Sequence, residues 1–192
     1  IINKQSVVDS SELHRRDYNV ISQITKNREE GIIAFSGVFQ TQADIPYLNS
    51  VSIDSSGYYA NPNFSQYYNH YHCATIPLYD SAKNEMHNLF FGGIAQYYDS
   101  AGILIQDNNA PFVKTIARVS RDANGNLAEY KLLNEMPGYL GAGAEFLINQ
   151  NISTYKNDVI KLNKLNGDRK MDTKFYCQKK NSHPTFFKEK EG

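Results

Sequence analysis

The stretch Glu85 to Gly93 reads EMHNLFFGG, and an earlier one, Glu30 to Gly37, reads EGIIAFSG. Each is a strand-length apolar run closed by glycine, the pattern of a buried strand that ends in a turn needing positive φ. Working outward from these glycines, HRRDYNVISQITKNREEGIIAFSG from His14 aligns with HYHCATIPLYDSAKNEMHNLFFGG from His70, each 24 residues long and 56 residues apart. Downstream, IPYLNSVSID (Ile45 to Asp54) parallels APFVKTIARVSRD (Ala110 to Asp122), and a turn follows each, at Asp54 to Gly57 and at Asp122 to Gly125. Self-similarity at a fixed spacing marks a repeat architecture, in which each unit buries its apolar face against the next.

Within a unit the signals are those of short strands between turns. NSVSID and KTIARVSRD alternate polar and apolar residues as half-buried strands do. Asn124-Gly125 is a strong two-residue hairpin signal and predicts a type I′ turn with positive φ at both positions. Each unit thus supplies four strands, with units near residues 14–69 and 70–137 and an incomplete third unit, all within 1–168. In the third, NLAEYKLLNEMPGYLGAGAEFLI (Asn126 to Ile148) reads as an outer strand followed by the first strand of the next unit. That register calls for a double-glycine strand near 170–180, where MDTKFYCQKK offers none, and residues 169–192, lysine-rich and aperiodic, read as an atypical tail.

Composition bounds the function. Twenty Lys and Arg balance twenty Asp and Glu, which removes the basic footprint of a nucleic-acid or polybasic membrane binder. Fourteen Tyr and ten Phe favour a β-rich fold, because rings fit a pleated, half-buried surface. No apolar run approaches the roughly 18 residues of a spanning helix. Cys73 and Cys177 make no disulfide framework. The chain opens IINKQSVVDS, without Met or signal peptide, and is expected to be a processed or truncated piece of a larger protein.

The FFGG strand, its FSG variant one unit earlier, the histidine that opens the preceding strand in YHCATIPLY and the aspartate turn after the third strand together resemble kelch-repeat β-propellers. More narrowly, the chain resembles exported kelch-like proteins of Bacteroidetes-type bacteria. The resemblance covers residues 14–148 and implies an all-β, partial propeller of antiparallel four-stranded blades, located outside the cell or on its surface. Trp is absent, and Tyr58 or Tyr59 and Tyr130 stand where kelch outer strands place Tyr and Trp. Propellers close with roughly 4 to 8 blades; about two and a half would leave strand edges open and invite self-association.

His70 and His72 share a strand face at spacing two and are the weak metal candidates, but Arg16 occupies the position of His72 in the first unit, so no ligand set repeats. The resemblance implies instead that a histidine here tethers backbone between blades. The connection after FFGG, IAQYYDSAGILIQDNNAP, is nine residues longer than its counterpart and offers Tyr97, Tyr98, Asp99, Asp107, Asn108 and Asn109 as stacking faces and hydrogen-bonding edges for a sugar or peptide. The bland alternative is a solvated connection, or an extra hairpin around Ala101-Gly102 that merely packs on its neighbour. Asp122, Asn124, Asn126 and Glu129 imitate a calcium loop, but the glycine is misplaced for one and a plain turn is expected. Arg15, Arg16 and Asp17 are expected in an ion pair between units.

No phosphate loop, dinucleotide fingerprint, nucleophile elbow or zinc helix appears. The expectation is a non-enzymatic binding or interaction module with no cofactor, recognising protein or carbohydrate. The alternative is a carbohydrate-active enzyme of propeller type, a metal-dependent oxidase or a sugar epimerase or mutarotase, which would need converging titratable or metal-binding side chains.

Overall fold

A computed structural model describes residues 6–165 and, as backbone, 174–177. The described chain is all-β. Strands β1 (Asn19–Ile24), β2 (Glu30–Phe35), β3 (Ser50–Asp54) and β4 (Gly57–Ala60) form an antiparallel meander in chain order. Strands β5 (Ala74–Asp80), β6 (Glu85–Phe91), β9 (Thr115–Arg121) and β10 (Leu127–Glu135) form a second. Between β6 and β9 a separate hairpin, β7 (Tyr97–Ser100) and β8 (Ile103–Gln106), turns at Ala101-Gly102. Strand β11 (Ala144–Leu147) pairs with β13 (Lys174–Cys177), and the short β12 (Ile160–Lys161) joins the open edge of β5 in parallel, followed by a 3-10 turn at Leu162–Lys164. Apart from β13, the stretch 169–192 lies outside the described residues, as does any test of a double glycine beyond residue 177.

The two meanders stack face to face because their period-two apolar positions match. Along β6, Met86, Asn88 and Phe90 are buried on one face, and along β1 so are Asn19, Ile21 and Gln23. The Phe35 ring stands edge-on to Phe90 at 5.2 Å, with Ile21, Ile33, Cys73 and Val119 around them. Each fully buried side chain of this kind contributes about 1.5 to 3 kcal/mol. A reciprocal amide pair, Gln23 Nε2 to Asn88 Oδ1 at 2.7 Å, satisfies the two polar groups enclosed with them. The opposite face of the second sheet, Ile76 and Leu78, is covered by Phe146 of β11 and by Ile148, Ile152 and Ile160 from the segment after it.

The glycine-closed strands are equivalent in three dimensions. Ser36-Gly37 and Gly92-Gly93 each place two consecutive residues at positive φ, 49° and 84° in the first sheet, 66° and 90° in the second. Serine is accommodated at the first of these positions because its buried hydroxyl donates to Tyr47 O at 2.6 Å. Above Gly92-Gly93 the backbone of Gly141 lies so close that a Cβ there would collide with Gly93 N and Phe91 O.

A second equivalence was not expected. Arg15 Nη1 donates to Ser36 O and Asn49 O at 2.9 and 3.0 Å, and Asn69 Nδ2 donates to Gly92 O and Thr115 O at 2.5 and 3.0 Å. Different side chains therefore bridge the same pair of carbonyls in the two units. Arg15 is ion-paired with Glu12 at 3.1 Å and lies over the Tyr47 ring, all within its own unit. The expected ion pair between units is thus not formed by Arg15, and Arg16 rests over Phe39.

The turn at Asn124-Gly125 also differs from expectation. Gly125 N bonds Asp122 O, Asp122 N bonds Asn126 O, and of the two central residues only Gly125 has positive φ. This is a three-residue loop, a tight turn followed by one left-handed residue, rather than a type I′ turn. Asp122 selects it by accepting from the backbone N–H of Asn124 and Asn126 and from the Asn126 side chain.

Candidate functional site

The sheets have two unlike ends. One carries tight turns, 25–29, 55–56, 81–84 and 122–126; the other carries the long connections 36–49, 61–73 and 92–114. Recognition surfaces concentrate on long loops held by a rigid scaffold, and the sequence-predicted residues lie at that end.

His70 and His72 do not converge. His70 is fully buried, its Nε2–H donating to Gln66 O at 2.7 Å while Nδ1 accepts from Gln96 N–H at 3.0 Å. Both ring nitrogens are spent on backbone, and burial pushes the imidazole down to about 4, so it is neutral at physiological pH. Its main chain extends the same stitching, since Gly37 N donates to His70 O and His70 N to Ile94 O. His72 is exposed, and its backbone N–H bonds Asp17 O. Among the described residues no group of three or more His, Cys, Asp or Glu is placed to hold a metal.

The six loop residues are brought to one region, and four are engaged. Tyr97 places its ring edge-on to Tyr67 at 5.2 Å and to His70 at 6.2 Å. Asp99 pairs with Lys131 of β10 at 2.9 Å, which holds its carboxyl below the usual range. Asn108 Oδ1 accepts from Gln96 and Gln106 side chains, and Asp107 caps Asn109 N in a local turn. The hairpin is thereby held at Tyr97 by the 61–73 connection and clamped to the second sheet at Asp99, directly across from Leu104. Its free end is apolar, with Ile103 65% and Leu104 41% exposed.

Sequence reasoning missed a carboxyl that holds the backbone of Tyr67, the ring partner of Tyr97. Glu129 on β10 accepts from the backbone N–H of Tyr67 at 2.6 Å and of Tyr68 at 3.2 Å. Desolvation pushes its carboxyl up to about 8, against the opposing pull of the two N–H donors. Tyr67, Tyr97, His70 and Glu129 thus form one cluster, joined across sequence separations that no local pattern announces. The residues of the calcium-like stretch are split accordingly: Asp122 and Asn126 close the turn at the opposite end, while Glu129 belongs to this cluster.

The chain matches no family model, no curated protein and no solved structure.

Proposed function

We propose that the protein is a non-enzymatic interaction module built as part of a kelch-like propeller and working outside the cell, with the β7–β8 hairpin as its recognition element. The observation that carries the interaction reading is the hairpin itself, fixed by the Tyr97 ring and the Asp99–Lys131 pair and bearing exposed Ile103 and Leu104 beside its turn. A loop whose conformation is already set loses little entropy on binding, so its exposed apolar area is available for affinity. Such a tip suits a protein or peptide partner. The propeller reading is supported by two stacked four-stranded meanders of equal strand order, each with paired positive-φ residues after its second strand.

The test is selection from a displayed random-peptide library on the wild-type chain, with Ile103→Asp/Leu104→Asp as the counter-target. Peptides that bind the wild type and lose at least about tenfold in affinity, about 1.4 kcal/mol, on the variant support the reading. Peptides indifferent to the tip, or no enrichment at all, would remove the hairpin as the recognition element.

One arrangement favours an enzyme on carbohydrate: the half-buried Glu129 carboxyl, held by the Tyr67 and Tyr68 N–H groups at 2.6 and 3.2 Å and pushed up by desolvation to about 8, is a proton donor of the kind sugar ring opening requires. Polarimetric mutarotation of aldoses, abolished in Glu129→Gln, would establish that reading in place of the first.

A further inference from the structure

At the tight-turn end, away from the hairpin, the stacked sheets splay apart and leave a cleft of about 530 Å³. That is within the usual roughly 300 to 1,000 Å³ of small-molecule sites. One wall comes from β3, β4 and the residue after it, the other from the β9–β10 turn, and the floor is apolar, with Ile24, Ile33 and Leu127. We propose that this cleft is a second binding site, one that takes a short neutral saccharide; the inference does not rest on the hairpin.

The ligand class follows from what the walls leave unspent. Tyr59 is 48% exposed and presents a ring to the cleft, and the C–H face of a sugar packs on such a ring while its hydroxyls seek amides. Those amides are there. Asn61 spends its Nδ2 on Ser50 and Ser52, leaving Oδ1 without a partner among the described residues. Asn126 spends its Nδ2 on Asp122, and Asn124 uses only its backbone N–H, so its whole side-chain amide has no partner among the described residues.

Charge argues against an ionic ligand. Arg121 lines the cleft, but its Nη atoms already donate to Ile24 O, Asn84 O and Asp122 O, so the guanidinium makes no anion cradle. Lys26 and Asp54 are of opposite sign, which leaves Arg121 as the single excess charge of the lining, buried and turned to backbone carbonyls. A ligand with one apolar face and several hydroxyls fits this lining; a phosphate or a carboxylate finds no cluster of cations.

The experiment is saturation-transfer NMR followed by calorimetric titration of the full chain. The probes are neutral disaccharides of glucose, galactose, mannose and xylose, with galacturonate as the charged control. The expected result is millimolar or tighter binding of at least one neutral sugar, weakened at least about tenfold by Tyr59→Ala and by Asn124→Ala and unchanged by Ile103→Asp/Leu104→Asp. Asn124→Ala removes no side-chain hydrogen bond within the fold, so its loss of binding reads the site rather than stability. Binding of none of the neutral sugars, preference for galacturonate, or affinity untouched by Asn124→Ala would each overturn the proposal. Loss only in the hairpin variant would move any sugar site to the other end.

Discussion

Glu129 and His70 lie in one cluster and titrate in opposite senses. The carboxyl has its folded value raised from 4.5 to about 8, so its contribution to stability is full below about 4.5 and is lost as pH rises through about 8. His70 is lowered from 6.5 to about 4, so its contribution is present above about 6.5 and is lost as pH falls through about 4. Water reaches part of the Glu129 side chain, and its effect is put at about 1 kcal/mol; the enclosed imidazole is put at about 2 kcal/mol. Denaturant unfolding at several pH values should therefore show stability falling from about pH 6.5, where the His70 contribution is complete, to pH 8.5 in the wild type, and a flatter limb over that range in Glu129→Gln. An identical slope in both proteins would mean that the carboxyl is ionised throughout. Gly141 makes a simpler prediction. A methyl there meets backbone rather than a flexible side chain, so Gly141→Ala should cost about 3 kcal/mol or more in thermal or chemical unfolding. The glycines of FFGG were legible in sequence; their opposite number was not, because nothing near Gly141 states that another backbone will lie upon it.

At the scale of elements, turns were harder to read than strands. The alternation in NSVSID and KTIARVSRD located β3 and β9, since pleat geometry imposes period two wherever one face is buried. The loops share a form that composition hides. Thr25 to Glu29, Asp122 to Asn126 and Tyr155 to Val159 each close with the same pair of backbone bonds, and the left-handed residue is Arg28, Gly125 and Asp158 in turn. Glycine supplies that conformation in one of three, so a search for Asn-Gly finds one. Asp158 is exposed and sits at φ 64°. Asp158→Gly should relieve the left-handed penalty and stabilise by up to about 1 kcal/mol; a lower melting temperature would show that the aspartate side chain contributes more than its backbone strain costs. The hairpin it caps has weight, because Val159 and Ile160 are fully buried and Asn157 Nδ2 donates to Gln23 O of β1.

Across the whole molecule, the core between the sheets couples them. Phe35 and Val119 belong to different meanders yet to one cluster, as does Cys73, whose thiol burial pushes up to about 12. Cys73 should accordingly resist alkylation in the native protein and react in the same transition that removes the β circular dichroism signal. Reaction at lower denaturant would mean that the sheets part before they unfold. Phe90→Ala, which empties the centre of this cluster, should cost about 3 to 5 kcal/mol and move both signals together.

The chain by itself determined the β class and the two repeated strand groups, because each is written in local periodicity or in a residue able to take a left-handed turn, and it offered the hairpin at Ala101-Gly102 only as one alternative to a solvated connection. Tertiary structure alone decided the rest. It aimed Asn69 at the carbonyls that Arg15 serves in the first unit, separated His70 from His72, brought Glu129 under Tyr67 and Tyr68, and opened a cleft between sheets whose walls are far apart in sequence. The physical reason is that a strand's pattern tells which side chains face inward, whereas their partners depend on how whole sheets stack, and stacking is fixed by the summed fit of two faces rather than by any one stretch.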